Sequence, residues 1–223
     1  MRTTWRGCAA AGIVAFVCSW AFGQIPGLVA CGPAGDLGPI IAFEFARTPA
    51  DVAALFGTAP CTATLVAAQK TGLLLDGLGF IPSYTAFLVL AVLAAGTRGW
   101  LRATAVAALL VAGLADEIEG FLLNAILDRL PGTPALLHAL WWAVHAKFLL
   151  LALGTIQIGG ALAAGSWPGR IVGAVILLGG GIALLCLLVG SSLMMQGFLV
   201  GWTVLLLAAL TASFWPRVFS SGS

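Results

Sequence analysis

The sequence predicts an all-α fold, a bundle of six transmembrane helices with short amphipathic helices in the first external loop. Two features of composition favour this class: 61% of the 223 residues are hydrophobic and 8% are charged, whereas soluble domains carry about 25% charged residues. The third feature is length, because several apolar runs exceed the ~20 residues that a helix needs to cross a bilayer. We therefore expect a single integral membrane domain over residues 1–223.

Six apolar runs are the predicted spans. They lie near residues 8–28, 71–96, 103–127, 135–163, 170–189 and 193–214. The connections after the second run are short, so consecutive helices are expected to be antiparallel neighbours. Gly197 and Gly201 form a small-xxx-small pair in the last run, which suits close packing against another helix, including one in an oligomer.

Residues 29–70 form the long external connection, and glycine and proline mark its start. Two short amphipathic helices are expected within it. The first runs from Pro39 to Ala46, with proline at its first position. The second has Thr48 as its cap, Pro49 at its first position and Asp51 in its first turn. A structural cap on the bundle and a movable lid are both consistent with this segment.

The positions of the arginines orient the spans. With the N-terminus in the cytoplasm, the cytoplasmic side carries no acidic residue and six arginines: Arg2, Arg6, Arg98, Arg102, Arg170 and Arg217. The positive-inside rule then predicts a multi-pass protein of the bacterial inner membrane with both termini in the cytoplasm. Nucleic-acid binding is not expected, because the net charge of +2 is dispersed and such binding requires a clustered basic face.

Two cysteines share the external loop. Cys31 and Cys61 are expected to form a disulfide in an oxidising compartment. Leu28-Val-Ala-Cys31 also matches a lipoprotein cleavage box that follows two arginines and an apolar stretch. Cleavage there would remove the first span and leave Cys61 unpaired. At the level of sequence, both interpretations of Cys31 stay open.

Charged residues inside apolar runs define the candidate site. A charge at bilayer depth costs about 2.5–3.5 kcal/mol or more, so such residues usually face a protein interior, a partner or a water-filled cavity. Helical spacing gives each run one polar face, on which lie Asp76, Tyr84, Asp116, Glu117, Glu119, Asn124 and Lys147. We expect them to converge in an outward-opening cavity, with Gly120 leaving room for a ligand and Lys147 paired with Asp76 or Asp116.

No motif for a cofactor accompanies these charges. The sequence contains no Gly-rich phosphate loop, His-Glu-x-x-His or Gly-x-Ser-x-Gly motif. His138 and His145 would be about 10 Å apart along a helix axis, which is too far to ligate both faces of one haem. The excess of carboxylates is consistent with a proton relay, a cationic ligand or a metal ion, but the residues specify no metal site and we expect no cofactor.

Three polar runs share one pattern. Leu75-Asp76-Gly-Leu-Gly-Phe-Ile-Pro-Ser-Tyr84, then Ala115-Asp116-Glu-Ile-Glu119, then Lys147 resemble the motifs Asp-x-x-Phe-Ile-x-x-Tyr, Asp-x-x-Glu-Asn and Lys of a group of uncharacterised bacterial membrane proteins with about six spans. Ile41-Ala-Phe-Glu44 and Arg47-x-Pro49 are similar to that group as well, so the resemblance covers residues 39–160. This chain has one extra residue between Asp76 and Phe80, and Gly120 where the pattern has Asn. The resemblance implies a polytopic membrane protein and no known activity.

Three functions are consistent with this sequence, all with the lipid bilayer as the surrounding partner. The first is binding or transport of a small cation, a proton or an amphipathic ligand by the carboxylates. The second is a membrane enzyme that uses a carboxylate acid/base pair on a lipid-like substrate, since a carboxylate in an apolar pocket can serve as a general acid. The third is a structural or assembly subunit whose charges hold helices together.

Overall fold

The computed structural model describes residues 2–189, 193–215 and 218–219, and these residues form helices and connecting turns with no strand. The predicted all-α bundle is therefore confirmed for this part of the chain. Two positions used in the topology prediction, Arg217 and the C-terminal Ser223, lie outside the described residues.

Long helices occupy all six predicted spans. They are α1 (Arg2–Phe22), α4 and α5 (Cys61–Leu75 and Ile81–Ala94, which together make one span), α6 (Gly99–Asp128), α7 (Pro134–Ala163), α8 (Trp167–Val189) and α9 (Leu193–Phe214). Among the described residues, every one of these spans except α6 is long and apolar enough to cross a membrane. The 30 residues of α6 are also long enough at ~1.5 Å per residue, although its second half carries four carboxylates. These lengths and compositions are those of a multi-pass membrane protein.

The ends of two spans differ from the prediction. α1 begins at Arg2 and ends at Phe22, because Gly23, Pro26 and Gly27 follow and Gly27 has a positive φ of 77°. α4 begins at Cys61, not near residue 71. Hydropathy marks the apolar part of a helix, whereas hydrogen bonding extends the helix through more polar residues outside that part.

The external connection contains both predicted short helices, α2 (Gly38–Glu44) and α3 (Pro49–Phe56). Thr48 caps α3 as predicted: its hydroxyl accepts from the backbone N–H of Asp51, and the Asp51 carboxylate accepts from the backbone N–H of Thr48. Phe43 of α2 and Phe56 of α3 are buried and pack edge to face, with ring centroids 5.0 Å apart.

Covalent and hydrogen bonds tie this connection down. Cys31 and Cys61 form a disulfide with a Cα–Cα distance of 5.8 Å, which joins the loop after α1 to the first residue of α4. The backbone N–H of Cys31 donates to the carbonyl of Leu55, and the side-chain amide of Gln69 donates to the carbonyl of Pro39. These bonds favour a structural cap over a movable lid, and a Cys31 held in this disulfide has no thiol left for lipidation.

The chain divides into two compact units. One comprises Met1–Ala15, Pro82–Gly113 and Lys147–Ser223, and the other comprises Phe16–Ile81 and Leu114–Ala146. The single domain expected from the sequence stays a prediction.

Within the first unit, α8 and α9 approach closely through glycines. A Cβ atom on Gly179 would lie 2.6 Å from the carbonyl oxygen of Gly197, and a Cβ atom on Gly197 would lie equally close to that of Gly179. Gly201 is buried at the same contact. The small-residue face of α9 is thus used within the chain, and an oligomer through that face stays a prediction.

Candidate functional site

The helix that carries Asp76 leaves regular α geometry at that residue. Asp76–Phe80 form a π turn, closed by the backbone N–H of Ile81 donating to the carbonyl of Asp76. Pro82 follows at once. In a regular α-helix its ring would clash with the carbonyl of Leu78, four residues earlier, and the wider π turn changes that spacing. π turns occur frequently at functional sites.

A cavity of about 410 Å³ lies beside the π turn, in the second unit. Its wall comes from residues 70–81 on one side and from α6 on the other. The lining residues are Lys70, Leu73, Leu74, Asp76, Gly77, Leu78, Ile81, Glu117, Gly120, Phe121 and Asn124. The α6 residues recur at steps of three and four and therefore share one face of that helix.

Two carboxylates, those of Asp76 and Glu117, line this cavity. The Glu117 carboxylate lies against the backbone of Gly77, where a Cβ atom would be 3.4 Å from Oε2. Within the described part of the chain, Glu117 has neither a hydrogen bond nor an ion pair, and its neighbour in sequence, Asp116, is also acidic. The side chain is half-buried. The cavity thus contains negative charge that the chain around Glu117 does not neutralise.

An ion pair joins the two walls of the cavity at one end. Lys70 Nζ of α4 lies 2.5 Å from Asp128 Oδ1, at the last residue of α6. The two side chains are 45% and 62% exposed. Lys70 also lines the cavity, whereas Asp128 does not. A cation of the chain itself therefore lies at the edge of an acidic cavity.

Apolar side chains form the open rim. Leu74, Leu78 and Phe121 all line the cavity, yet they are 63%, 77% and 74% exposed. Side chains of this kind on a membrane helix face hydrocarbon. The cavity thus combines a charged interior with an apolar opening.

Asp116 and Glu119 lie elsewhere on α6. They are only 5% and 2% exposed, and neither lines the cavity. Each interacts with other groups of the protein. The structure therefore brings Asp76, Glu117 and Asn124 together at the cavity, and it buries the other two predicted carboxylates on an adjoining face of the same helix.

Lys147 and Tyr84 belong to the first unit, and both are buried. Lys147 Nζ lies 4.4 Å from the ring centroid of Phe148, within cation–π range. The ring of Tyr84 packs beside that of Trp202, with centroids 5.6 Å apart. The expected pairing of Lys147 with Asp76 or Asp116 stays a prediction.

Glu44 and Lys70 were not predicted to be site residues. Glu44 lies in the predicted external connection, residues 29–70, yet it is buried at the end of α2 and interacts with other groups there. It ends the run Ile41-Ala-Phe-Glu44, whose resemblance to the group described above stays a prediction. Lys70 is the last residue of that predicted connection, whereas the structure places it within α4, which begins at Cys61.

The two histidines pack against aromatic rings. The imidazole of His145 stacks on Trp141 with centroids 4.1 Å apart, and the indole N–H of Trp142 donates to His138 Nε2. In the ranges that the structure describes, no group of three or more His, Cys, Asp or Glu residues could hold a metal ion.

Comparison of the chain with family models, curated proteins and solved structures finds no match. The function is therefore inferred from the chemistry of the cavity.

Proposed function

We propose that this protein binds an amphipathic ligand with a cationic head group in the cavity beside the π turn. The observation that carries the proposal is Glu117, a half-buried carboxylate that lines the cavity and has no hydrogen bond or ion pair among the described residues. A buried charge is costly unless an opposite charge offsets it. A cationic head group would supply that charge.

The charge of the lining supports a cation over an anion. Glu117 is acidic and has no ion pair among the described residues, and Lys70 is already paired with Asp128. With Glu117 ionised, the cavity presents a negative charge that a cation can offset. Asn124 adds an amide that can donate to or accept from a polar head group.

The size and rim of the cavity support an amphipathic ligand. Its volume of about 410 Å³ falls within the roughly 300–1,000 Å³ of typical small-molecule sites. The exposed side chains of Leu74, Leu78 and Phe121 would contact an alkyl chain that extends into the bilayer. A free inorganic cation would leave this apolar rim unused.

We further infer that the protein lies in a bacterial inner membrane with both termini in the cytoplasm. The distribution of arginines supports this orientation. The two ends of the chain also meet in the first unit: Arg2 Nε donates to the carbonyl of Ser213, and the rings of Trp5 and Phe219 lie 6.2 Å apart. Ends that lie on one side of a membrane require an even number of spans.

A binding assay tests the proposed function. The purified protein in maltoside detergent is titrated with a fluorescent long-chain amine and, separately, with a fatty acid that carries the same fluorophore and chain. We expect the amine to bind in preference. Glu117→Gln should weaken amine binding about tenfold, which corresponds to about 1.4 kcal/mol, because it removes the charge and keeps the shape.

A cavity-filling variant locates the ligand. Gly120→Leu should abolish binding without strain elsewhere, because a Cβ atom on Gly120 meets nothing within 4 Å. Gly160→Leu is the matched control, since Gly160 of α7 has equally open surroundings and does not line the cavity. Equal binding of the amine and the fatty acid would contradict the proposal. Unchanged amine binding in both Glu117→Gln and Gly120→Leu would contradict it as well.

A further inference from the structure

We propose that Lys70 is a built-in competitor for the cationic ligand and that Asp128 holds it at the edge of the cavity. This inference rests on the proposed function and assigns the control of affinity in that same site. Lys70 and Asp128 would then set the affinity for the cationic ligand, although neither was predicted to belong to the site.

The position of Lys70 allows two arrangements of its ammonium group. In the structure the ammonium contacts Asp128, yet the side chain also forms part of the cavity wall. The Glu117 carboxylate lies against Gly77, seven residues further along, about 10 Å along the axis at ~1.5 Å per residue. The four-carbon stem of a lysine is flexible. Rotation of that stem would carry the ammonium from Asp128 toward the carboxylate of Glu117.

The contact with Asp128 is weak enough to be exchanged. Both side chains are substantially exposed, and exposed ion pairs contribute little to stability. The Glu117 carboxylate, half-buried and with no ion pair in the described chain, attracts any nearby cation more strongly. Loss of Asp128 would therefore release Lys70 into the cavity, where it would neutralise the charge that the ligand needs.

Competition predicts effects of opposite sign. Lys70→Gln removes the competitor and should tighten binding of the long-chain amine about threefold to tenfold. Asp128→Asn frees Lys70 and should weaken binding by a similar factor. In the double variant, Asp128→Asn has no lysine to release. The affinity of the double variant should therefore equal that of Lys70→Gln alone.

The double variant separates competition from general electrostatics. If the two charges acted only through their long-range field, their effects would add and the double variant would bind like the wild type. Arg129→Gln is the matched control. Arg129 is exposed, lies next to Asp128 and does not line the cavity, so removal of its charge should change affinity by less than about twofold.

The experiment is the titration with fluorescent long-chain amine in all five proteins: wild type, Lys70→Gln, Asp128→Asn, the double variant and Arg129→Gln. Equal affinities of the double variant and Lys70→Gln, both tighter than that of the wild type, support the proposal. If Glu117→Gln weakens binding but the double variant binds like the wild type, competition by Lys70 is excluded and the proposed function stands. If the wild type binds no amine, or Glu117→Gln has no effect, the proposed function fails and this inference fails with it.

Discussion

The carboxylate of Asp51 completes the cap of α3 and titrates abnormally as a result. It accepts hydrogen bonds from the backbone N–H groups of Arg47 and Thr48, at 3.0 and 2.8 Å. Mainly these two bonds, the one from Arg47 first, lower the pKa of Asp51 below its usual value of 3.8. Because the ionised form is favoured in the folded protein, its contribution to stability is fully present above the unfolded-state pKa. That contribution is lost as pH falls through the folded-state pKa.

We expect Asp51→Asn to lower thermal stability at about pH 7 and to have a shrinking effect below about pH 4. The loss at neutral pH should be at most about 1 kcal/mol, the usual size for a helix cap, because the side chain is exposed. Thermal unfolding followed by tryptophan fluorescence at several pH values measures it. Asp36→Asn is the control, since Asp36 is exposed in the same connection and caps no helix. A difference between Asp51→Asn and wild type that does not shrink as pH falls below about 4 would contradict the assignment.

The sequence could identify the polar arc of α6 but not the part of the arc that faces the cavity. Asp116 and Glu117 were placed in the same site, yet only Glu117 lines the cavity. Successive residues differ by about 100° around a helix, so the rotation of α6 decides which carboxylate is buried. That rotation depends on packing against other helices, which periodicity in α6 cannot reveal. The open space at Gly120 was foreseen, because a residue without a side chain leaves room in any rotation.

At the scale of the element, the π turn would account for the extra residue relative to the motif Asp-x-x-Phe-Ile-x-x-Tyr, whose resemblance to this chain stays a prediction. That pattern has two residues between Asp and Phe, whereas this chain has Gly77, Leu78 and Gly79 between Asp76 and Phe80. One extra residue in an α-helix is accommodated locally when one turn widens to π geometry. The flanking helices α4 and α5 then keep the faces that they would have without the extra residue. The length of the apolar run predicted one continuous span here, because a single π turn does not interrupt that run.

We expect deletion of Leu78 to be tolerated, because it converts the π turn to α geometry and preserves the register of α4 and α5. Leu78 is also 77% exposed, so little packing is lost. Deletion of Leu73 within regular α4 is the matched control. It should rotate the preceding part of the helix by about 100° and prevent folding. Size-exclusion chromatography and circular dichroism of the purified variants measure the outcome. Similar behaviour of the two deletions would contradict the account of the π turn.

At the scale of the whole molecule, composition was sufficient for the fold class and for the number of long helices. The Cys31–Cys61 disulfide also corresponds to the expectation from their shared loop. The burial of Glu44 could not be predicted in this way, because it depends on how α2 folds within the long connection. Whether α6 crosses the bilayer is also hard to predict from sequence. Its carboxylates lower its mean hydropathy, and the surroundings of those carboxylates decide whether the helix can cross.

We expect α6 to cross the membrane, with Arg98 in the cytoplasm and Arg129 outside. These two exposed arginines flank the two ends of α6 (Gly99–Asp128), so they test one helix with a matched pair of substitutions. The background is a variant in which the free cysteines Cys8, Cys18 and Cys186 are replaced by alanine.

In intact cells, a membrane-impermeant maleimide should label Arg129→Cys. It should label Arg98→Cys only after the membrane is permeabilised. The physical reason is the positive-inside rule: Arg98 and Arg102 lie at one end of the helix, whereas Arg129 is the single arginine at the other end. Labelling of both positions from outside would show that α6 does not span the membrane. Labelling of Arg98→Cys alone would indicate the opposite orientation of α6. Because Lys70 and Asp128 lie at the Arg129 end of α6, labelling of Arg129→Cys alone would also place the lysine that controls the cavity on the external face.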